Sequence, residues 1–487
     1  MLITLLALAC TAGPKEEDPP GGFTKDFLWG ASIAGFQVEA GCPTVPAEVC
    51  EDRHSDWYQW VTDPELIAES GTYLSGEPLS NAPGHYELYE QDFGLANNLG
   101  LESLRTSIEW SRLFPDGAAE QATTVEELAT YADPVALAHY HAYFDALEAA
   151  GLKPLVTLDH YTLPLWLHDG KTCHDDLEAC TNKGWMDIAR LKPAIALYSA
   201  FCAKEFGDQI DLWATLNEPL AVVLSGYLLP SPDRTNPPGV VNPDAAIQVL
   251  YAQAEGHIAM YDAVKAYDLV DADGDGSASE VGVVDNLVAL APLDAASSLD
   301  QEGVEAANYV YNLAFLNAAI RGDFDRDLDG VVEEQHPEWA GKMDYLGINY
   351  YTRLTIRGLA VPLFPDYARM TFYPEVLFED YPEGLYEVAV LGSQYNLPMY
   401  ITESGKAEPD ETTEDTWLRP HLKALLRARE EGYDVRGFYY WSLLDNYEWN
   451  HGMGMHFGLH AVDLTSKERS LRPVGAAYRD IVGSGVP

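Results

Sequence analysis

The sequence predicts an α/β fold in which eight parallel strands, each followed by a helix, close into a single barrel. Two observations carry that prediction. Strand-like runs alternate with helix-like segments from residue 28 to the end of the 487-residue chain, and polar residues with chemical capacity collect where those runs finish. Length alone would allow about three domains, but one barrel with insertions accommodates this much chain.

The eight runs begin near Leu28 (LWGASIA), Leu101 (LESLRTSI), Lys153 (KPLVTLDH), Asp211 (DLWATLN), Val281 (VGVVDNLVAL), Asp344 (DYLGINYY), Met399 (MYITES) and Val435 (VRGFYYWSLL). Among the helical segments 135–150 is the clearest. Asp133 is placed to cap it, Pro134 takes its first position, Ala136, Tyr140, Tyr143, Phe144 and Leu147 fall on one face, and Gly151 ends it. The same periodicity predicts helices over 87–99, 187–206, 244–267, 301–320, 383–394, 414–431 and 474–482.

In a barrel of this kind chemistry sits at the C-terminal strand ends. Gln37 and Glu39 follow the first run, Arg105 lies late in the second, His160 ends the third, and Asn217 with Glu218 ends the fourth. Asn349, Tyr350 and Tyr351 end the sixth, Glu403 the seventh, and Trp441 the eighth, with Glu448 and Trp449 in the loop beyond. A single strand ending in an acidic residue is commonly a solvated strand end. Structural polar residues scattered at random would not gather at one end of seven strands. Two carboxylates in such a place, Glu218 and Glu403, are the minimum equipment for glycoside hydrolysis, one to attack or stabilise the sugar and one to handle the proton.

Against 77 Asp and Glu stand 29 Lys and Arg, a formal charge of −48 that repels phosphate backbones and argues against a nucleic-acid partner. No apolar run of membrane-spanning length follows the first residues. Met1 to Cys10 are nearly all apolar and end Ala7-Leu8-Ala9-Cys10, which resembles the end of a bacterial lipoprotein signal. Residues 11–20 (TAGPKEEDPP) are polar and proline-rich, a composition suited to a tether. Residues 1–20 are therefore expected to be a signal and tether and 21–487 the barrel. The protein is expected to be exported to the periplasm or cell envelope and to meet a membrane only through a lipid anchor. In an oxidising compartment the close spacings Cys42/Cys50 and Cys173/Cys180 suggest local disulfides, whereas Cys202 falls in a helical pattern as a small buried hydrophobe.

Specific motifs extend the reading. DFLWGASIAGFQVEA, LRTSIEWSRLFP, DHYTLPLWL, TLNEP, GINYYTR, ITESG and WSLLDNYEW followed by FGL and VD make the chain from Phe23 to Ile481 resemble glycoside hydrolase family 1, the β-glucosidase and β-galactosidase family, and its archaeal β-glycosidases most of all. The resemblance implies an exo-acting, retaining β-glycosidase acting on a small β-glycoside or oligosaccharide, with no cofactor for catalysis. It implies Glu218 as acid/base, Glu403 as nucleophile, Gln37, His160, Asn217, Glu448 and Trp449 as holders of sugar hydroxyls, Trp441 as a stacking floor, and Arg105, Asn349 and Tyr351 as support for the nucleophile. A nearby guanidinium and tyrosine hydroxyl should keep Glu403 ionised, while desolvation and the charge of Glu403 should keep a proton on Glu218. The chain departs from the family's usual pattern at Ala40, at Tyr161-Thr162 where Trp-Asp is usual, at Ser404 and at His456. The 6-phospho-sugar branch has Ser at the position of Glu448, where a carboxylate would repel a phosphate. A non-catalytic sugar-binding lipoprotein on the same barrel is the rival reading; it would typically lack one of the two glutamates.

Outside the resemblance lie Asp271, Asp273 and Asp275 with Gly276, and Asp325, Asp327 and Asp329 with Gly330. Each repeats the first half of an EF-hand loop, a ligand spacing suited to structural Ca²⁺, but position twelve is Gly282 or His336.

Overall fold

Parallel strands pair edge to edge around a complete circle in the computed structural model, which describes residues 21–363, 368–372 and 379–487. They are β1 (Leu28–Ser32), β2 (Ser103–Ser107), β3 (Lys153–Asp159), β4 (Leu212–Asn217), β5 (Glu280–Asn286), β6 (Tyr345–Asn349), β7 (Met399–Ser404) and β8 (Val435–Trp441). Each pairs with its neighbours in the chain, and β8 closes on β1 with Leu28 opposite Gly437 and Ser32 opposite Trp441. All eight expected strands are therefore barrel strands. The expected signal and tether, including Cys10, lie outside the described residues.

Tyr345, Tyr400 and Tyr439 cluster with Leu155, Ala214 and Val284 as a buried layer inside the barrel. Glycines make room for the rings: a Cβ on Gly30 would lie 2.4 Å from the ring of Tyr439, and one on Gly282 2.7 Å from that of Tyr345. The interior is thus packed with side chains, as barrels of this size require, and the site has a solid floor.

The helices around the barrel include α1 (His85–Asn98), α2 (Pro134–Ala149), α3 (Ile188–Phe206), α4 (Pro243–Tyr267), α5 (Ala314–Arg321), α6 (Glu383–Gly392), α7 (Arg419–Glu430) and α8 (Pro473–Ser484). Asp133 caps α2 through the amides of Val135 and Ala136, both at 2.9 Å, with Pro134 in the first turn. None of the helices among the described residues is long and apolar enough to cross a membrane.

Three expectations are corrected in detail. The predicted helix 301–320 is two helices, Ser298–Asn308 and α5, joined by a π-helical turn at Tyr309–Leu313, and 414–431 opens with another at Glu414–Leu418. The run VGVVDNLVAL is not one strand. Asn312, in the π turn, takes both backbone groups of Val288 at 3.0 Å, and Ala289–Pro292 leaves the barrel to pair with Arg353–Gly358 in a separate three-stranded sheet. Apolar periodicity does not reveal these breaks, because the apolar pattern runs on across each of them.

Cys42 is bonded to Cys50 and Cys173 to Cys180; Cys202 is free and buried. Closing loops with separations of 8 and 7 residues restricts the unfolded chain by about 2–3 kcal/mol per bridge. Unreduced peptide mapping is expected to recover both linked pairs, and Cys173→Ser/Cys180→Ser is expected to lower the denaturation free energy by that amount. Four free thiols in oxidised material would contradict the pairing.

Candidate active site

Two irregular ladders aim the glutamates. The β7 pairing slips between Ile401 and Glu403 against β6 and between Ile401 and Ser404 against β8, while the β4–β5 pairing slips between Ala214 and Asn217. Such irregularities re-aim side chains at the rim of a barrel. Glu218 itself adopts φ 45°, ψ 65°, a left-handed conformation uncommon outside glycine, with its amide tied to Val284 O at 2.8 Å. Glu218 and Glu403 are 5% and 4% exposed, so the protein supplies most of their surroundings.

Arg105, fully buried, donates through Nη1 to Glu403 Oε1, through Nη2 to Asn217 Oδ1 at 2.7 Å and through Nε to Thr157 Oγ1 at 3.1 Å. The other oxygen of Glu403 accepts from the Tyr351 hydroxyl at 2.7 Å. Glu218 meets only neutral donors: Asn349 Nδ2 at 2.8 Å and Asn286 Nδ2 at 3.2 Å on Oε1, and the Tyr161 hydroxyl on Oε2. Thr402 fixes the Asn349 amide by donating to its Oδ1 at 2.8 Å.

The guanidinium and the tyrosine expected to hold Glu403 ionised are both in place, yet the net direction differs from the expectation. Burial pushes the Glu403 carboxyl up to about 7, the Arg105 charge pulls it down, and the charge of Glu218 pushes it up further. Burial also raises Glu448, against the pull of Arg234.

Since Asn217 Oδ1 accepts from Arg105, its Nδ2 is the group facing His160 Nε2, 3.2 Å away. Burial and the nearby Arg105 hold His160 well below its usual range, hence neutral. With Nε2 accepting, the ring hydrogen sits on Nδ1, which has no partner among the described residues. Gln37 donates to Asn446 Oδ1 at 2.9 Å, and its own Oε1 has no partner among the described residues. Trp441 donates its indole N–H to Glu448 Oε1 at 3.1 Å. Trp449 is wedged between Phe36, stacked at 5.8 Å, and Trp57 at 4.5 Å, and the His160 ring lies parallel to it at 5.9 Å.

Every expected catalytic, sugar-contacting and supporting residue thus lies in one connected network. Three others share it without having been singled out for it. Asn286 ends β5, the one strand end left empty in the sequence reading, and the strand-end rule could have found it. Tyr161 was visible only as a departure from the family pattern, and Arg234, in the loop after β4, gave no sequence signal. Glu39, by contrast, serves the buried ion pair with Arg112 at 2.7 Å.

The aspartate loops lie elsewhere. Asp273 and Asp275 line a cavity with Lys153, Leu212 and Glu280, the first residues of β3, β4 and β5, so this loop is at the opposite end of the barrel. Ligand-capable oxygens within 4.8 Å of one another come from Asp211, Asp271 and Asp273 in one place and from Asp325, Asp327 and Glu333 in the other. Asp275 and Asp329 are outside these groups, and their carboxylates cap the amides of Ser277 and Val331 at 2.7 Å. Asp211 and Glu333 come from outside the D-x-D-x-D-G pattern, which is why it could not predict them.

Comparison with known proteins agrees with the architecture. The sequence profile described as glycosyl hydrolase family 1 matches residues 20–485. A β-galactosidase of Pyrococcus woesei is 34% identical, with 95% of this chain and 97% of that one covered. β-Glucosidase A of Thermotoga maritima is 28% identical over 94% of this chain and 97% of its own. The crystal structure of the β-glycosidase from Thermosphaera aggregans superposes with a TM-score of 0.82 at 29% identity, over 96% and 98% of the two chains. With the profile running through nearly the whole barrel, the chain belongs to glycosyl hydrolase family 1 and is a glycosidase.

Proposed function

We propose that the protein is a retaining β-glycosidase that removes the terminal sugar from β-linked oligosaccharides or small glycosides, with Glu403 as nucleophile and Glu218 as acid/base. The observation that carries this reading is the unequal setting of two buried glutamates on β4 and β7. Glu403 faces a guanidinium that stabilises its charge before it attacks; Glu218 faces only neutral hydrogen-bond donors and is free to trade a proton. In the first step a Glu403 oxygen bonds to the anomeric carbon while the glycosidic C–O bond breaks and Glu218 gives its proton to the departing oxygen. In the second, Glu218 takes a proton from water, whose oxygen displaces Glu403 from the sugar.

The remaining groups suit a pyranose. The Trp441 indole offers an apolar face, and the unpartnered Gln37 Oε1 and His160 Nδ1 offer one acceptor and one donor to hydroxyls. Glu448 supports an unphosphorylated sugar, since a second negative group beside it would be repelled. The β-galactosidase and β-glucosidase names of the relatives fit the same substrate class. A non-catalytic sugar binder is disfavoured because both glutamates are kept in a fully hydrogen-bonded setting. Export through the lipoprotein-like Met1–Cys10 is part of the proposal, as is the absence of a nucleic-acid partner for a chain of charge −48.

Glu403→Gly is expected to lower turnover by several orders of magnitude and to be rescued by azide with formation of the α-glycosyl azide. Glu218→Ala is expected to spare substrates with good leaving groups and to give the β-azide. Near-normal activity of Glu403→Gly would contradict the assignment.

We further propose that the acidic loops bind Ca²⁺ for stability, with hard carboxylate oxygens from Asp211, Asp271 and Asp273 and from Asp325, Asp327 and Glu333. Calcium at a hundredfold excess over its dissociation constant would stabilise the fold by about 2.7 kcal/mol. Melting with added calcium is expected to occur at higher temperature than with chelator; coincident curves at low salt would remove the proposal.

A further inference from the structure

We infer that Tyr161 and Arg234 form a positioning pair for Glu218, in which the Tyr161 hydroxyl fixes one carboxylate oxygen and Arg234 fixes the direction of that hydroxyl. The inference rests on the reading of Glu218 as the acid/base. It goes beyond that reading by assigning a role to two residues outside the expected site.

The geometry is a relay of donors. Tyr161 is buried, and its hydroxyl hydrogen-bonds Glu218 Oε2. Arg234 Nη2 lies 3.4 Å from the same hydroxyl oxygen, and its guanidinium lies 5.2 Å from the centroid of the Tyr161 ring and 5.5 Å from that of Trp449. A guanidinium can only donate, so Tyr161 accepts from Arg234 and its own hydrogen is left to point at Glu218. Burial raises Tyr161 well above the usual tyrosine range, so the hydroxyl stays a donor throughout the working pH range. Arg234 makes no ion pair among the described residues, although the chain carries 77 acidic side chains. Its carboxylate neighbours at longer range are Glu448 and Glu218 themselves. Its polar contact with a side chain of the site is the Tyr161 hydroxyl, and its charge acts on Glu448 and Glu218 only from beyond that contact.

The backbone supports a positional role. Tyr161 has φ 72°, a left-handed conformation that costs a bulky residue free energy and persists only where the surroundings impose it. Thr162, the next residue, anchors the turn by donating to the buried Glu109 at 2.6 Å. The family resemblance expects Trp-Asp at these two positions. An indole has a single N–H on a rigid ring and no phenolic oxygen to accept from Arg234, so the tyrosine makes the relay specific to this arrangement.

A hydroxyl that donates to a carboxylate stabilises its charged form. Removing the donor makes Glu218 keep its proton to higher pH, so the alkaline limb of kcat/KM moves up. The limb set by Glu403 is held by Arg105 and Tyr351 and stays in place. The test uses an alkyl β-glycoside, whose departure needs a proton, and a 2,4-dinitrophenyl β-glycoside, whose departure does not.

For Tyr161→Phe, which keeps the ring under Arg234, the alkaline limb with the alkyl substrate is expected to rise by about one pH unit. Activity at the parent optimum is expected to fall at least about tenfold with the alkyl substrate and less than about threefold with the dinitrophenyl one. Arg234→Gln should move the limb in the same direction, and the double variant should move it by less than the sum of the two single shifts because the shared Arg234–Tyr161 contact is lost in each. An unmoved alkaline limb in Tyr161→Phe, or equal losses on both substrates, would overturn the pair as a positioning device. If Glu218→Ala failed to give the β-azide, the acid/base reading itself would fail; a β-azide together with an unmoved limb would reject only the Tyr161–Arg234 relay.

Discussion

The site is built around one buried cation. Arg105 leaves β2 inside the barrel and reaches Thr157 on β3, Asn217 on β4 and Glu403 on β7, so one side chain ties four strands together at the level where the chemistry is proposed. A guanidinium with no exposure is tolerable only when its charge and its donors are matched, and breaking such a pair from one side typically costs about 3–5 kcal/mol. The rest of the network follows from that demand. Glu403 must come inward to meet Arg105, Asn217 must turn its oxygen to Arg105, and its nitrogen is thereby committed to His160. Asn349 then bridges Asn217 to Glu218, which links the two glutamates through neutral amides without placing a second cation between them.

That wiring gives two chemically identical side chains different surroundings. Burial drives Glu403 away from ionisation while the Arg105 charge and the Tyr351 hydroxyl act against it, whereas Glu218 meets amide and phenol donors. Burial and the charge of Glu218 leave the Glu403 carboxyl at about 7, against the pull of Arg105. A sugar entering the site displaces whatever solvates these oxygens, and covalent capture of Glu403 removes the charge that opposes ionisation of Glu218. In the proposed mechanism Glu218 then acts first as acid and next as base with no movement of the backbone.

Much of this was legible in the sequence, for reasons that can be stated. The eight strands are apolar runs with polar ends, and parallel barrel strands are buried on both sides, so each run announces itself and its terminal residue. Glu218, Glu403, Arg105, Asn217 and Asn349 follow from that rule together with the family motifs. The groups that were not legible come from long-range geometry. Asn286 sits at the end of a run whose apolar pattern continues past it, because Ala289–Pro292 pairs in a second sheet. Arg234 reaches Tyr161 from 73 residues away. Asp211, 60 residues before Asp271, joins the acidic loop only because β4 and β5 are neighbours. Spacing along the chain carries no trace of such approaches.

The central claim is that Glu403 forms a bond to the sugar that water then displaces, which requires two inversions at the anomeric carbon. Proton NMR of the first-formed product from an aryl β-glucoside, recorded before mutarotation, tests this directly. The account predicts that the β-anomer is released first and the α-anomer grows in only at the rate of spontaneous mutarotation. Initial release of the α-anomer would mean a single inverting displacement and would contradict the account.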